Sequence, residues 1–217
     1  NPNMLIFSAQ NKGQTDLYLY NTLNATTTQL NNDIYDDLSP VYVNWNGNDG
    51  ILFSSNRTEN ILNITTNDTV LPTQNLDLFF YNLNTKNNTL ARVTTTPFAN
   101  EKAIGNYTND YFSFVSDENG IANRYAGFFS SRAEGLDTIV IIGDELLRNP
   151  PQKEIDSTLK AWKKKEVDSV AVVAISQDSA YTFPLSNYES NLAETRVAGD
   201  NQQVSEVTRQ SDEKTLY

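Results

Sequence analysis

The feature that most constrains this chain is an internal repeat in its first 130 residues. Three segments join an apolar pair to a serine: Ile6-Phe7-Ser8, Leu52-Phe53-Ser54 and Phe114-Val115-Ser116. Each runs into a polar turn (Asn11-Lys12-Gly13, Asn56-Arg57, Asp117-Glu118-Asn119-Gly120) and then into an aromatic strand opened by Asp16, Asp77 or Asn123. The first two copies close on a short strand, Thr28-Gln29-Leu30 and Ala91-Arg92-Val93-Thr94. Phe7 and Phe53 are 46 residues apart, Phe53 and Val115 62. The middle copy is longer because Asp77 follows Phe53 by 24 residues, whereas Asp16 follows Phe7 by 9. The excess falls in an Asn- and Thr-rich stretch, residues 60–74, whose composition is that of an exposed loop.

A repeat of about 45 residues with short strands and polar turns is the period of a four-stranded propeller blade. One small sheet cannot bury both of its faces; stacking sheets side by side does so and limits free edges. The expected fold is therefore mostly β: a partial β-propeller of four-stranded blades over 1–130, with a small α/β insertion at 131–179 and further strand segments at 180–217. Within the insertion, Leu136–Ile142 reads as a strand ending at Gly143-Asp144. Asn149-Pro150-Pro151 breaks the chain, and 153–165 reads as a helix with Ile155, Leu159 and Trp162 on one face. Val167–Ser176 reads as a second strand and Ala180–Phe183 as another; Val204–Thr208 and Thr215–Tyr217 alternate like strands near the end.

Composition narrows the chemistry. The 217 residues hold no cysteine and no histidine. A Ser-His-Asp triad, a Cys-His pair, a disulfide and a His-based zinc site are all excluded within this chain. Net charge is −11 and the pI is near 4.4, so the surface repels nucleic-acid phosphates and anionic lipid heads. No stretch of 18 apolar residues is present to form a membrane-spanning helix. No phosphate-binding loop, nucleophile elbow or His-Glu zinc motif occurs. The carboxylate pairs Asp36-Asp37, Asp117-Glu118 and Asp144-Glu145 read as solvated turns, and Asn46–Gly50 and Asp117–Gly120 as hairpin turns rather than calcium loops. The aromatics Tyr18, Tyr20, Tyr42, Trp45, Phe80 and Tyr81 read as core, and Lys163-Lys164-Lys165 as a helix C-terminus. No cofactor or metal is expected.

Ser39-Pro40 ahead of a strand, Asn46-Gly47-Asn48-Asp49-Gly50, Ile51-Leu52-Phe53-Ser54-Ser55-Asn56-Arg57, Leu76-Asp77-Leu78-Phe79 and Val93-Thr94 together resemble the blade pattern of TolB-like β-propellers. The chain departs from that pattern at Asn46, where the turn proline is missing, and at Asn123, where aspartate is usual. The 131–179 segment resembles an insertion in large envelope proteins of the Bacteroidota. The resemblance implies an exported protein, periplasmic or attached to the outer membrane, that scaffolds a protein complex without catalysis. It also implies that about four blades lie here, the rest of a larger ring coming from outside this sequence, which opens without a signal peptide at Asn1-Pro2. Two alternatives stand beside this expectation: a module gating a peptidase, and a carbohydrate- or ion-binding module. Five Asp-Ser/Thr motifs resemble the O-glycosylation acceptor motif of the Bacteroidota, which implies acceptors at Thr69, Thr138, Ser157, Ser169 and Ser179. Partner contacts are expected at the 60–74 loop, Asn67 included, and on the helix face around Trp162.

Overall fold

The computed structural model describes residues 3–65, 70–107, 111–198 and 203–217. These form two compact units, one of Asn1–Phe129 with Ala180–Tyr217, the other Ser130–Ser179. The fold is mostly β, built from successive antiparallel sheets. The first sheet contains β1 (Met4–Asn11), β2 (Gln14–Asn21) and β3 (Thr26–Gln29). The second contains β4 (Asp37–Trp45), β5 (Asn48–Ser55), β6 (Asp77–Asn82) and β7 (Leu90–Arg92). The third orders β8 (Glu101–Asn106), β9 (Tyr111–Ser116) and β10 (Asn123–Ile142), with β11 (Glu145–Arg148) and β12 (Ser169–Pro184) both paired to β10. The fourth contains β13 (Leu192–Ala198), β14 (Gln203–Gln210) and β15 (Glu213–Leu216).

Local chemistry sets the hairpins. Lys12-Gly13 and Asn46-Gly47 both take positive φ, so each makes a two-residue primed turn whose twist matches its flanking strands. The turn expected over Asn46–Gly50 is thus only two residues long, and Asn48, Asp49 and Gly50 already belong to β5. Pro40 lies inside β4, not ahead of it, and is tolerated because the ladder shifts register between Leu38 and Val41.

The larger unit is a stack of sheets with a core between each pair. Leu17, with Ile6, Leu19 and Leu30 of the first sheet and its margin, packs on Ile51, Phe53, Phe79 and Tyr81 of the second. The opposite face of the second sheet, Val43, Trp45, Leu52, Leu78 and Phe80, packs on Ile104, Phe112, Phe114 and Tyr125 of the third. Phe129 continues that core, stacked on Trp45 with ring centroids 4.3 Å apart. Val115 and Ala122 then meet Leu192 of the fourth sheet. Period-2 alternation lets one strand feed two cores: Leu52 faces forward while Ile51 and Phe53 face back.

Cross-strand pairing shows which residues are equivalent. Ala9 pairs with Asp16, Ser55 with Asp77 and Ser116 with Asn123. Phe7, Phe53 and Phe114 therefore occupy one position, and the sequence reading that put Val115 there was displaced by one residue. Such a slip exchanges the two faces of a strand, and Val115 does face the following sheet, not the preceding one. By the same pairing, β1 is equivalent to β5 and β9, while β4, β8 and β13 share the position of the leading strand. β4 lies beside β8, and β8 beside β13.

Two strands, each with residues in both units, are longer than the sequence suggested. Residues 123–125 and 136–142 belong to one 20-residue β10, which continues through Gly127 and Gly135, and 169–184 form one β12 that ends at Pro184. Helix α1 spans Gln152–Ala161 and begins after Pro151. It stops short of 165 because Trp162 leaves helical geometry and Lys163 takes φ 52°.

Gly127 illustrates how tightly the third sheet is packed. The Phe112 ring lies against it where a Cβ would stand. Gly127→Ala is expected to cost about 1–3 kcal/mol through overpacking, read as a lower urea midpoint at unchanged slope.

Candidate functional site

The most organised polar groups lie where one sheet hands over to the next. In the first handover the Leu17 amide donates to Asn31 Oδ1 at 2.9 Å, and Asn31 Nδ2 donates to Asp16 at 3.2 Å and Asp37 at 2.9 Å. In the second, the Leu78 amide donates to Thr94 Oγ1 at 2.8 Å, and that hydroxyl contacts Asp77 at 3.4 Å and Glu101 at 3.2 Å. In the third, the Arg124 amide donates to Ser186 Oγ at 2.8 Å, and Ser186 donates to Asn123 at 2.9 Å. A second stitch recurs beside it: the amides of Thr15, Leu76 and Ala122 donate to Asp36, Asn100 and Asn191. The second stitch ties the sheet to the residue just ahead of the next leading strand in all three handovers, whereas the first reaches that strand in only two, through Asp37 and Glu101, and Ser186 bonds within the third sheet alone.

Asp36-Asp37 is consequently not a solvated turn. Asp37 is fully buried and Asp36 half-buried. Asp37 exists there because Arg57, also buried, reaches it at 2.6 and 2.8 Å and reaches Asp33 at 3.4 Å. Arg57 also donates to Ser55 Oγ at 2.9 Å, to the Leu62 carbonyl at 3.1 Å and to the Ile61 carbonyl, and its guanidinium lies over the Tyr35 and Phe53 rings. Burial pushes the Asp37 carboxyl up to about 6 despite Arg57, and raises Asp33 and Asp16 as well. Glu101, walled in beside Asp77, is pushed up to about 7, chiefly by burial. Sequence reasoning missed Asn31, Thr94, Glu101 and Arg57. Arg57 and Thr94 left a signal, as the last residues of the Ser-Ser-Asn-Arg run and of the Val93-Thr94 pair in the blade pattern.

Thr94→Val tests one stitch. It keeps the shape and removes the hydroxyl that satisfies the Leu78 amide, so a loss of about 1–3 kcal/mol is expected in thermal or urea unfolding.

A cleft of about 450 Å³ opens between the leading strands, lined by Ser8, Ser39, Lys102, Ala103, Glu194 and Thr195 among others. Ser39 and Ala103 are equivalent residues, each two positions after a buried acid and each at φ 51° in a bulge. Non-glycine residues in that region store strain. The Thr195 hydroxyl is buried and unpartnered among the described residues. An ammonium, a carboxylate and hydroxyls so placed can hold a small polar ligand.

The residues singled out in the sequence are scattered. Asn67 and Thr69 lie outside the described residues. Trp162 caps α1 and lays its indole over Gly143, with 38% of its surface exposed. Thr138 is half-buried in β10, next to an Asp137 engaged by Arg148 and Asn149. Ser157 is exposed on α1 and donates to the Glu154 carbonyl at 2.8 Å. Ser169 is exposed at the start of β12, and Ser179 is half-buried further along it. Trp45, Phe80 and Tyr81 are core, whereas Tyr42 is 36% exposed and holds Asp49. Lys164 pairs with Asp168, which also accepts the Gly143 amide. Among the described residues no helix is long and apolar enough to cross a membrane. Compared with known proteins, the chain matches no family model and no curated protein.

Proposed function

We propose that this chain is a non-catalytic segment of a TolB-like β-propeller, with 130–179 as an insertion, and that it serves as a protein-interaction scaffold in a bacterial envelope assembly. Supporting the propeller reading are the repeated stitches and the adjacency of β4, β8 and β13, which is the order of strands around a propeller axis. The interaction reading is carried by one observation. Leu5 and Phe7 of the first sheet are 56% and 37% exposed, whereas their equivalents Ile51 and Phe53, and Phe112 and Phe114, are at most 2% exposed beneath a preceding sheet. Tyr18 and Tyr20 complete this uncovered face, with Tyr18 stacked on Phe7. Apolar faces of this kind mark interaction surfaces. The resemblance to envelope proteins and the Asp-Ser/Thr motifs support an exported location.

Native purification from the cell envelope, with mass spectrometry of retained proteins and of Ser/Thr modifications, tests the proposal. Stoichiometric envelope partners, lost when Phe7 is replaced by Glu, are expected; a lone, unmodified cytoplasmic protein overturns it. A ligand-binding reading is favoured by the cleft around Lys102, Glu194 and Thr195. It predicts that Lys102→Ala abolishes binding of a small sugar or carboxylate panel measured calorimetrically.

A further inference from the structure

We infer that the free edge of β12 in the smaller unit is a self-association site, where a second copy of this chain pairs strand to strand over residues 169–175 about a two-fold axis at Val172. The inference stands apart from the scaffold reading and needs no other protein.

The edge is unguarded. Residues 169–176, Ser-Val-Ala-Val-Val-Ala-Ile-Ser, hold no charge, no proline and no glycine. Among the described residues β12 pairs only with β10. Val170, Val172 and Val173 are 56%, 62% and 48% exposed, and Ala171 and Ala174 are exposed too, so side chains of both faces meet solvent. Strand edges elsewhere in the chain are short and polar or charged. β3 is Thr-Thr-Thr-Gln, β7 is three residues ending at Arg92, β11 opens on Glu145 and ends on Arg148, and β15 opens on Glu213-Lys214. A long apolar edge with none of these guards is a template for another strand. The elements on either side of β12 in the chain are in place, α1 before it and β13, paired with β14, after it.

Backbone alternation and side-chain size select a second copy as the occupant. The Asp168 amide donates to the Ile141 carbonyl at 2.9 Å and the Leu185 amide to the Arg124 carbonyl at 2.8 Å, so β12 runs antiparallel to β10. Alternation from Asp168 turns the backbone groups of Val170 and Val172 toward β10, and those of Ala171 and Val173 toward the open edge. A two-fold axis normal to the sheet at Val172 then sets Ala171 opposite Val173 of the second copy as a hydrogen-bonded pair. It sets Val172 opposite its own copy as a non-hydrogen-bonded pair. Val170 falls opposite Ala174 of the second copy. Each flanking valine thus meets an alanine, which lets the side chains interlock on both faces. No like charges are opposed along residues 169–175. Two-fold pairing closes on itself and uses both β12 edges, so association ends at the dimer.

The 217-residue chain has no cysteine, so single thiols report the register. Val172→Cys is expected to form an interchain disulfide under mild oxidation, because a non-hydrogen-bonded pair brings the two Cα atoms to about 4.5 Å. Val170→Cys lies on the same face and edge, yet is held about 14 Å from its own copy and is expected to stay reduced. Both positions are exposed, so neither substitution threatens the fold. Sedimentation velocity is expected to show a monomer–dimer equilibrium in the micromolar range, weakened at least tenfold by Val172→Lys. Hydrogen exchange at the Ala171 and Val173 amides is expected to slow as concentration rises. Equal cross-linking of the two thiols, a dimer indifferent to Val172→Lys, or a chain that stays monomeric at every concentration overturns the inference. A monomer whose Ala171 and Val173 amides are protected only in the natively purified assembly also overturns it, and assigns the edge to another protein. The assay needs only the purified chain, so its failure leaves the envelope-partner result standing, and the reverse holds too.

Discussion

Replacing Arg57 with methionine is expected to destabilise the larger unit by about 3–5 kcal/mol, most of the stability of an ordinary domain. The guanidinium lies between two carboxylates that have no solvent exposure of their own, and it satisfies two carbonyls of the chain after β5. Methionine fills similar space but leaves Asp33 and Asp37 buried without a cation. Lysine is expected to recover less than half of the loss, because one ammonium cannot reach both carboxylates and both carbonyls. Converting Asp33 and Asp37 to asparagine in the methionine background is expected to recover most of it, since the cost is that of unpaired buried charge. Urea unfolding followed by far-ultraviolet circular dichroism gives the number. A loss below about 1 kcal/mol would mean that Arg57 is not the keystone of the first handover.

The second large effect concerns pH. Glu101 and Asp37 have folded-state values pushed up to about 7 and about 6, from ordinary values of 4.5 and 3.8, and burial is the main cause in both. A group raised on folding favours the native state when protonated. Its contribution is fully present below the unfolded value and is lost as pH rises through the folded one. The protein is therefore expected to grow more stable as pH falls from 8 to 5, by an amount on the order of 2–4 kcal/mol. Below about pH 4 the trend reverses, because Asp49, Asp137 and Asp168 are held low by their hydrogen bonds and lose them on protonation. Self-repulsion at net charge −11 acts in the same direction above pH 5, so the buried acid needs its own control. Glu101→Gln keeps the contacts to Thr94 and Thr96 and removes the titration. It is expected to raise the melting temperature at pH 8, leave it nearly unchanged at pH 5, and flatten the slope between. An unchanged slope would assign the pH dependence to surface charge.

How much of this was legible beforehand differs by element. The repeat spacing located β1, β5 and β9, because alternation of apolar and polar residues survives in a single sequence. It placed Phe114 and Val115 one residue out, because both are apolar and only the pairing of Ser116 with Asn123 separates them. Strand β13 went unread: its residues Ala193 to Ala198 show little apolar alternation, and its burial comes from Leu192 against the third sheet. The stitches were hidden for a different reason. Asn31, Thr94 and Ser186 share a place and a bonding pattern but no residue type, so identity does not align them. Asp36-Asp37 looked like any acidic turn, since nothing local indicates that Arg57, twenty residues on, will be folded over it. The uncovered face of the first sheet was also beyond reach, because Phe7 and Phe53 are the same residue in the same motif, and only their neighbours differ.

The proposed propeller sets successive sheets side by side around a common line of leading strands, and the proposed scaffold role puts a partner over the aromatic face of the first sheet. An electron cryomicroscopy map of the natively purified assembly tests it most directly. The account predicts β4, β8 and β13 adjacent around one axis, with partner density over Leu5, Phe7, Tyr18 and Tyr20. A map in which the sheets form a two-layer sandwich, or in which that aromatic face meets only solvent, would contradict it.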